Sequence, residues 1–147
     1  MDNVEILNYI KSELKNYKYL KHLQVRLHER ITELKHARDG LPSPNYDGVR
    51  IENHYSEVNP ITVIDEQIAN TESMLGSVSN RIEVIDNLIN GMDKDTANVI
   101  ERLYIYKLST IDGLALECGM SEQNLKTKIN NELLYVYTYY MHGLTSS

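Results

Sequence analysis

The chain has no phenylalanine, no tryptophan and a single cysteine among its 147 residues. With Cys118 alone, no disulfide can form within the chain, and a reduced, cytoplasmic setting is expected. The core must therefore consist of leucine, isoleucine, valine, methionine and some of the eleven tyrosines. No apolar run approaches the ~20 residues of a membrane span, and residues 1–10 are expected to be neither a signal peptide nor an anchor.

Patterns of catalysis and of cofactor binding are also missing. The sequence contains no glycine-rich phosphate loop, no nucleophile elbow and no persuasive catalytic pair. None of the five histidines has a second ligand at metal-binding spacing. We therefore expect no enzymatic activity, no catalytic residue, no metal and no cofactor.

The net charge of −6 argues mildly against nucleic-acid binding, because phosphate attraction usually needs a basic face. The acidic residues are concentrated in the middle of the chain. Residues 41–90 carry eight acids against two Lys or Arg, whereas residues 1–40 carry six against eight and residues 91–147 carry seven against five. The net charge of the whole chain therefore says little about the charge of any local DNA-binding face.

Two long helices are predicted before residue 92. Residues 3–38 have apolar positions near a three-to-four spacing, with a slip around Leu20. Residues 61–89 alternate steps of three and four like a coiled-coil seam, which Asn90-Gly91 ends. All three prolines lie between these segments, in residues 39–60. The sequence therefore predicts an all-α fold in which residues 1–92 form a long antiparallel coiled-coil hairpin with a proline-containing loop.

Basic residues form a stripe along the first helix: Lys11, Lys15, Lys18, His22, Arg26 and Arg30. One interpretation is a track for a nucleic-acid backbone. The other is a solvated edge that pairs Lys11 and Lys18 with acids of the second helix, namely Asp65, Glu72 and Asp86. We favour the second, because the acidic edge is visible in the sequence.

Residues 109–133 have the pattern of a helix, a tight turn and a second helix. Ala115 is small enough for a close helix crossing, and Gly119 four residues later is suited to a positive φ. Ser121 is a helix cap, and Leu125 and Ile129 share one face of the helix that follows. Before this pattern, a helix is predicted to begin at Asp95 or Thr96 and to continue to about Lys107, with Ile100, Leu103 and Tyr104 facing inward. The three helices together predict a trihelical helix-turn-helix domain over residues 93–147, whose second helix normally enters the DNA major groove.

The segment Arg102–Ser121, RLYIYKLSTIDGLALECGMS, is similar to the promoter-reading C-terminal region of bacterial sigma factors. In layout, the whole chain resembles the small phage and prophage late-gene regulators of the ArpU and RinA type. This resemblance implies a phage-encoded activator that acts at a late promoter with RNA polymerase, in the host cytoplasm. The predicted reading helix differs from that pattern in having no arginine, and Glu132 replaces a residue that is commonly small.

By resemblance to the sigma-like helix, four residues are candidates for contact with bases: Glu122, Gln123, Lys126 and Thr127. Glutamine can bond adenine, glutamate can accept from cytosine, and lysine can donate to guanine. Four more are candidates for phosphate contact, which positions a protein without specifying sequence: Lys107, Thr110, Lys128 and Asn131. The alternative for both sets is an ordinary polar, solvated surface.

Other functions stay open. A protein-interaction module would keep the helix-turn-helix scaffold without specific DNA binding, and the low basicity favours it. A small terminase subunit also combines these parts, usually in the reverse order. Tyr135, Tyr137, Tyr139 and Tyr140 could stack bases, but packing or dimerisation is favoured. A weakly basic reader should need several copies, so we expect a homo-oligomer that binds double-stranded DNA at paired half-sites.

Overall fold

The computed structural model describes residues 2–41 and 59–145, whose regular secondary structure is helical throughout. This confirms the predicted all-α class. The predicted loop over residues 39–60 lies mostly outside the described residues. None of the described helices is both long and apolar enough to cross a lipid bilayer. The elements are α1 (Asn3–Lys15), α2 (Tyr17–Asp39), α3 (Pro60–Asn90), α4 (Lys94–Ile100), a π-helical segment (Glu101–Ile105), α5 (Ile111–Cys118) and α6 (Glu122–Thr145).

The first predicted helix is two helices. The Asp2 side chain caps α1 by accepting a hydrogen bond of 2.9 Å from the amide of Glu5. Helix α1 ends at Asn16, whose amide donates to the carbonyls of Ser12 and Glu13. The apolar spacing predicted an irregularity around Leu20. The structure places it at Asn16, four residues earlier.

Contacts divide the chain into two compact units. The smaller comprises residues 22–79, in which α2 and α3 run antiparallel. Within it the Gln24 amide donates to the Ser79 hydroxyl over 3.1 Å, and Arg38 pairs with Asp65 at the other end. The seam between the two helices contains buried aliphatic residues at the predicted spacing: Leu27, Ile31, Leu34, Ile68 and Val78.

The larger unit comprises residues 1–21 and 80–147. Here α1 packs on the π-helical segment and on α6, and α5 packs on α6. The contacts thus group α1 with the C-terminal helices, whereas the sequence prediction divides the chain between residues 92 and 93. The best-buried side chains of this unit are all aliphatic, as the lack of Phe and Trp requires: Ile10, Leu14, Leu20, Ile85, Ile100, Leu114, Leu125, Ile129 and Leu133.

Helix α3 ends at Asn90, as predicted, and Gly91 follows at a close approach to α6. A Cβ atom on Gly91 would lie 3.0 Å from a methyl carbon of Val136. The φ angle of Gly91 is not positive, since Gly119 is the glycine with a positive φ in the described part of the chain. Gly91 is therefore required here for space rather than for backbone conformation.

Helix α4 and the π-helical segment, which precede the predicted helix-turn-helix, differ from the sequence prediction in two ways. Their first residue is different, and so is the set of side chains that they bury. Asp93 caps α4 by accepting from the amide and the hydroxyl of Thr96, so α4 begins at Lys94 rather than at Asp95 or Thr96. The Tyr106 amide donates to the Glu101 carbonyl over 2.8 Å, five residues back, which is a π-helical turn. Ile105 is consequently buried, whereas Leu103 and Tyr104, the predicted inward residues after Ile100, are half-buried.

Candidate functional site

Helices α5 and α6 are joined by a three-residue turn whose ends are capped as the sequence predicts. Gly119 has φ 67°, in the left-handed region that favours glycine. The Met120 amide donates to the Ala115 carbonyl over 3.1 Å and closes the end of α5. The Ser121 hydroxyl accepts from the Asn124 amide over 3.0 Å and caps α6. These local hydrogen bonds confirm the predicted turn and both helix ends.

The packing of α5 on α6 determines which face of α6 is exposed. Leu114 and Ala115 of α5 are buried, as are Leu125 and Ile129 of α6. Leu125 and Ile129 are 2% and 1% exposed, which confirms that the predicted face is inward. The polar residues of the first turns of α6 therefore lie on the protein surface.

The four base-contact candidates, Glu122, Gln123, Lys126 and Thr127, are all exposed on the first two turns of α6. They form one surface, which we call the α6 quartet. The Lys126 ammonium lies 3.5 Å from a Glu122 carboxylate oxygen, so the two formal charges of the quartet offset each other. The quartet can offer donors and acceptors to a ligand, but it carries no net charge.

The four phosphate candidates have different surroundings. Lys107 is exposed and has φ 54°, in the turn between the π-helical segment and α5. The Thr110 hydroxyl accepts from the Gly113 amide and also bonds Asp112, lowering the pKa of that carboxyl. Lys128 lines a small cavity with the acidic Asp95 of α4. Asn131 is exposed one turn beyond the quartet. Thr110 is thus a helix cap in this structure, and Lys128 faces an acidic neighbourhood.

Arg102 and Glu117 join the segment before α5 to the last turn of α5. The guanidinium donates two hydrogen bonds to the carboxylate, of 2.8 and 2.9 Å. This hydrogen bonding lowers the pKa of Glu117 and raises that of Arg102. The arginine nearest to the turn in sequence is therefore engaged by an acid of the same unit.

A basic edge from α1 lies beside the start of α6, and the sequence did not reveal it. The Tyr9 and Tyr137 rings are 6.4 Å apart, and Ile6 lines a groove with Tyr137 and Met141. The order of these contacts makes α1 antiparallel to α6, so the later residues of α1 approach the earlier turns of α6. The i, i+4 spacing of Lys11 and Lys15 was visible, but their approach to α6 depends on tertiary packing.

Lys11 is half-buried at this edge, with its ammonium 5.9 Å from the centre of the Tyr104 ring. Burial lowers the pKa of Lys11, and repulsion by Lys15 and by Lys126 lowers it further. Lys126 belongs to the α6 quartet. Cations from α1 and α6 are therefore near enough to repel one another.

The acidic partners predicted for Lys11 and Lys18 are wrong in detail. Asp86 accepts a hydrogen bond of 2.7 Å from the Tyr17 hydroxyl, and Asp65 pairs with Arg38. The Lys18 ammonium lies 5.6 Å from the centre of the Tyr106 ring. The acids were available to other groups at the same helix edge, which a heptad pattern cannot distinguish.

Two leucines, one before α5 and one on it, are exposed, and the sequence pattern did not reveal them. Leu108 is 77% exposed before α5, and Leu116 is 83% exposed on α5. Of the tyrosines near the end of α6, Tyr135 and Tyr139 are mostly exposed, whereas Tyr137 contacts Tyr9. Isolated apolar residues at a surface are common, and these two leucines are exposed enough to contact a partner.

Comparisons of the chain with protein-family models, with curated proteins and with solved structures gave no match. Within residues 2–41 and 59–145, no three His, Cys, Asp or Glu side chains are grouped so that they could hold a metal ion.

Proposed function

We propose that this chain is a sequence-specific DNA-binding transcriptional regulator that reads double-stranded DNA with α6. The observation that carries the proposal is the capped turn between α5 and α6, with its left-handed Gly119 and the exposed α6 quartet. A helix presented in this way has its first turns free to enter the major groove, which is about 12 Å wide. The resemblance of Arg102–Ser121 to sigma factors favours a phage-encoded activator of late genes that acts with RNA polymerase.

In this proposal Gln123 and Lys126 supply most of the sequence discrimination. The Gln123 amide offers a donor and an acceptor that match adenine, and the Lys126 ammonium can donate to guanine after it leaves Glu122. Thr127 follows on the same exposed surface, and Asn131 can reach the backbone of the DNA. Glu122 has a second role, because its carboxylate restrains Lys126 in the free protein.

The charges of this surface favour binding by more than one copy. The quartet is formally neutral, and Arg102 is engaged by Glu117. Electrostatic attraction to phosphates, the main source of affinity for DNA, is therefore small for a single reader. A homo-oligomer that presents two readers at half-sites about 34 Å apart would raise the affinity through effective concentration.

The proposal is tested by letting the protein select its binding sites from genomic DNA. The purified full chain is incubated with fragmented DNA from its own genome at moderate and at raised salt, and the retained DNA is sequenced. We expect one or a few enriched sites, lost as the salt concentration rises, with paired half-sites in each. A folded protein that enriches no site at moderate salt would overturn the proposal.

A protein-interaction module is the second candidate, and the exposure of Leu108 and Leu116 favours it. In that case the turn serves as a scaffold, and the two leucines enter an apolar pocket of a partner protein. The double variant Leu108→Ser/Leu116→Ser would then lose the partner while keeping its fold. If the same variant keeps full DNA site enrichment and the wild type retains no protein partner, this second function is excluded.

A further inference from the structure

We propose that Lys11 and Lys15 of α1 bind the DNA phosphate backbone beside the α6 quartet, so that the contact surface extends beyond the helix-turn-helix. This inference rests on the proposed function and adds to it a second element that touches DNA. For Lys11 and Lys15 it returns to the nucleic-acid track that the basic stripe also suggested, in a part of the chain that the sequence assigned to a hairpin. The surface formed by Lys11, Lys15 and Lys126 is called the α1–α6 basic edge below.

The first argument is the direction of packing. Helix α1 runs antiparallel to α6, with Tyr9 against Tyr137 and Ile6 in the groove near Met141. The last turn of α1 is thereby directed toward the N-terminal half of α6, where the quartet lies. Lys15 is exposed at this end of α1, and Lys11 lies one turn before it.

The second argument is that the positive charges of the edge are poorly neutralised within the protein. Lys126 has Glu122 at 3.5 Å, but Lys11 faces the Tyr104 ring rather than a carboxylate. Glu13, the acid of α1 between the two lysines, is engaged by Arg81 through hydrogen bonds of 2.9 and 2.7 Å. In the part of the chain that the structure describes, neither Lys11 nor Lys15 forms an ion pair.

The third argument concerns what such an edge would contact. Lysines that repel one another in the free protein are stabilised by an anion placed between them, and a row of phosphates supplies anions along a line. Phosphate contacts of this kind position a protein on the duplex without reading its sequence. They also compensate for the lack of arginine in α6, because the positive charge is carried on the adjacent helix.

The test compares Lys11→Gln/Lys15→Gln with the wild type and with a matched control, Lys21→Gln/Lys35→Gln. Both double variants change the net charge by the same amount. Lys21 and Lys35 are exposed on α2 and lie outside the basic stripe that begins at Lys11. Fluorescence anisotropy measures the affinity for an enriched site and for a scrambled duplex from about 50 to about 200 mM salt.

We expect the α1 variant to reduce the slope of log K against log salt by about 1.8, since each phosphate contact contributes about 0.9. The loss of affinity between the two salt concentrations then becomes about 12-fold smaller than for the wild type. The preference for the enriched site over the scrambled duplex should not change, because phosphate contacts carry no sequence information. The control variant should retain the wild-type slope.

The possible failures are distinguishable. If the wild type binds no DNA, the proposed function fails and the inference fails with it. If the wild type binds and the α1 variant has its slope and affinity unchanged, the inference alone is overturned. An equal loss in both double variants would show a general effect of net charge and would also overturn it. If the double variant has a lowered melting temperature, the single variant Lys15→Gln, at an exposed position, is used to repeat the test.

Discussion

The guanidinium of Arg102 and the carboxylate of Glu117 form a two-bond ion pair that joins the segment before α5 to the end of α5. A bidentate pair of this kind fixes the relative position of two groups better than a single contact does. It also determines how much positive charge the unit can offer to a ligand. Arg102 is held by an acid of its own unit and is thereby withdrawn from contact with a ligand.

The variant Glu117→Gln should release Arg102 and strengthen DNA binding, because one acidic charge is removed and the guanidinium loses its carboxylate partner. We expect a higher affinity for the enriched and the scrambled duplex alike, as measured by fluorescence anisotropy. The control variant Glu29→Gln on α2 should leave both affinities unchanged. A small fall in the melting temperature of Glu117→Gln should accompany the higher affinity at neutral pH. Since Arg102 lowers the pKa of Glu117 in the folded state, that difference should disappear as the pH falls through the folded-state value. An unchanged DNA affinity would contradict the assigned effect of the ion pair.

Tyr17 and Asp86 provide a prediction at alkaline pH. Burial, together with the hydrogen bond to Asp86, raises the pKa of Tyr17 to about 12 from the usual value of 10.0. The contribution of this group to stability is complete below pH 10 and is lost as the pH rises toward 12, because the unfolded chain releases the phenolic proton first. In the variant Tyr17→Phe the tyrosinate absorbance gained near pH 12 should decrease by the contribution of one tyrosine. Tyr19→Phe, at an exposed position, is the control and should leave that gain in place.

Gly91 and Gly76 should respond in opposite ways to alanine. A Cβ on Gly91 would lie 3.0 Å from Val136, so Gly91→Ala is expected to lower the free energy of unfolding by about 1–3 kcal/mol through overpacking. Gly76 lies within α3, and a Cβ there meets no atom within 4 Å. Gly76→Ala should therefore stabilise the protein by about 0.5–1 kcal/mol through helix propensity. Urea unfolding measures both, and equal effects would be inconsistent with the close approach of Gly91.

The π-helical segment predicts which side chain of residues 101–108 supports the core. Ile105 is 5% exposed, so Ile105→Ala should cost about 2–5 kcal/mol. Leu108, three residues later, is 77% exposed. The matched control Leu108→Ala should therefore change the free energy of unfolding little. Chemical denaturation of the two variants gives the comparison. A larger loss for Leu108→Ala than for Ile105→Ala would show that this segment does not have the described register.

The α6 quartet predicts different losses for two of its members. Gln123→Ala should reduce discrimination between the enriched site and its single-base variants by about 1–3 kcal/mol, the value of one bidentate base contact. Lys126→Ala should also reduce the salt slope, because a charge is removed. Neither change should lower the melting temperature appreciably, since both side chains are exposed. Gln67→Ala on α3 is the control, and normal site selection by both α6 variants would exclude α6 as the reading helix.

The local features of the turn were predictable from the sequence because each depends on neighbouring residues. Gly119 adopts the left-handed conformation that costs other residues more, and Ser121 reaches an amide three positions away. The buried face of α6 followed from the spacing of Leu125 and Ile129, since the helical period alone brings them together. The all-α class followed in the same way from apolar periodicity.

The register near residue 105, the partners of the charged residues and the place of α1 were decided by tertiary structure. A π-helical turn adds a residue without any local marker, and it moved Ile105 inward in place of Leu103 and Tyr104. Asp65 pairs with Arg38 and Asp86 accepts from Tyr17, although Lys11 and Lys18 were the partners predicted from the heptad pattern. The proximity of Lys11 to Lys126 needs two helices more than 100 residues apart to pack antiparallel. Sequence periodicity describes one helix at a time, so it determined which faces are buried but not which helix covers each face.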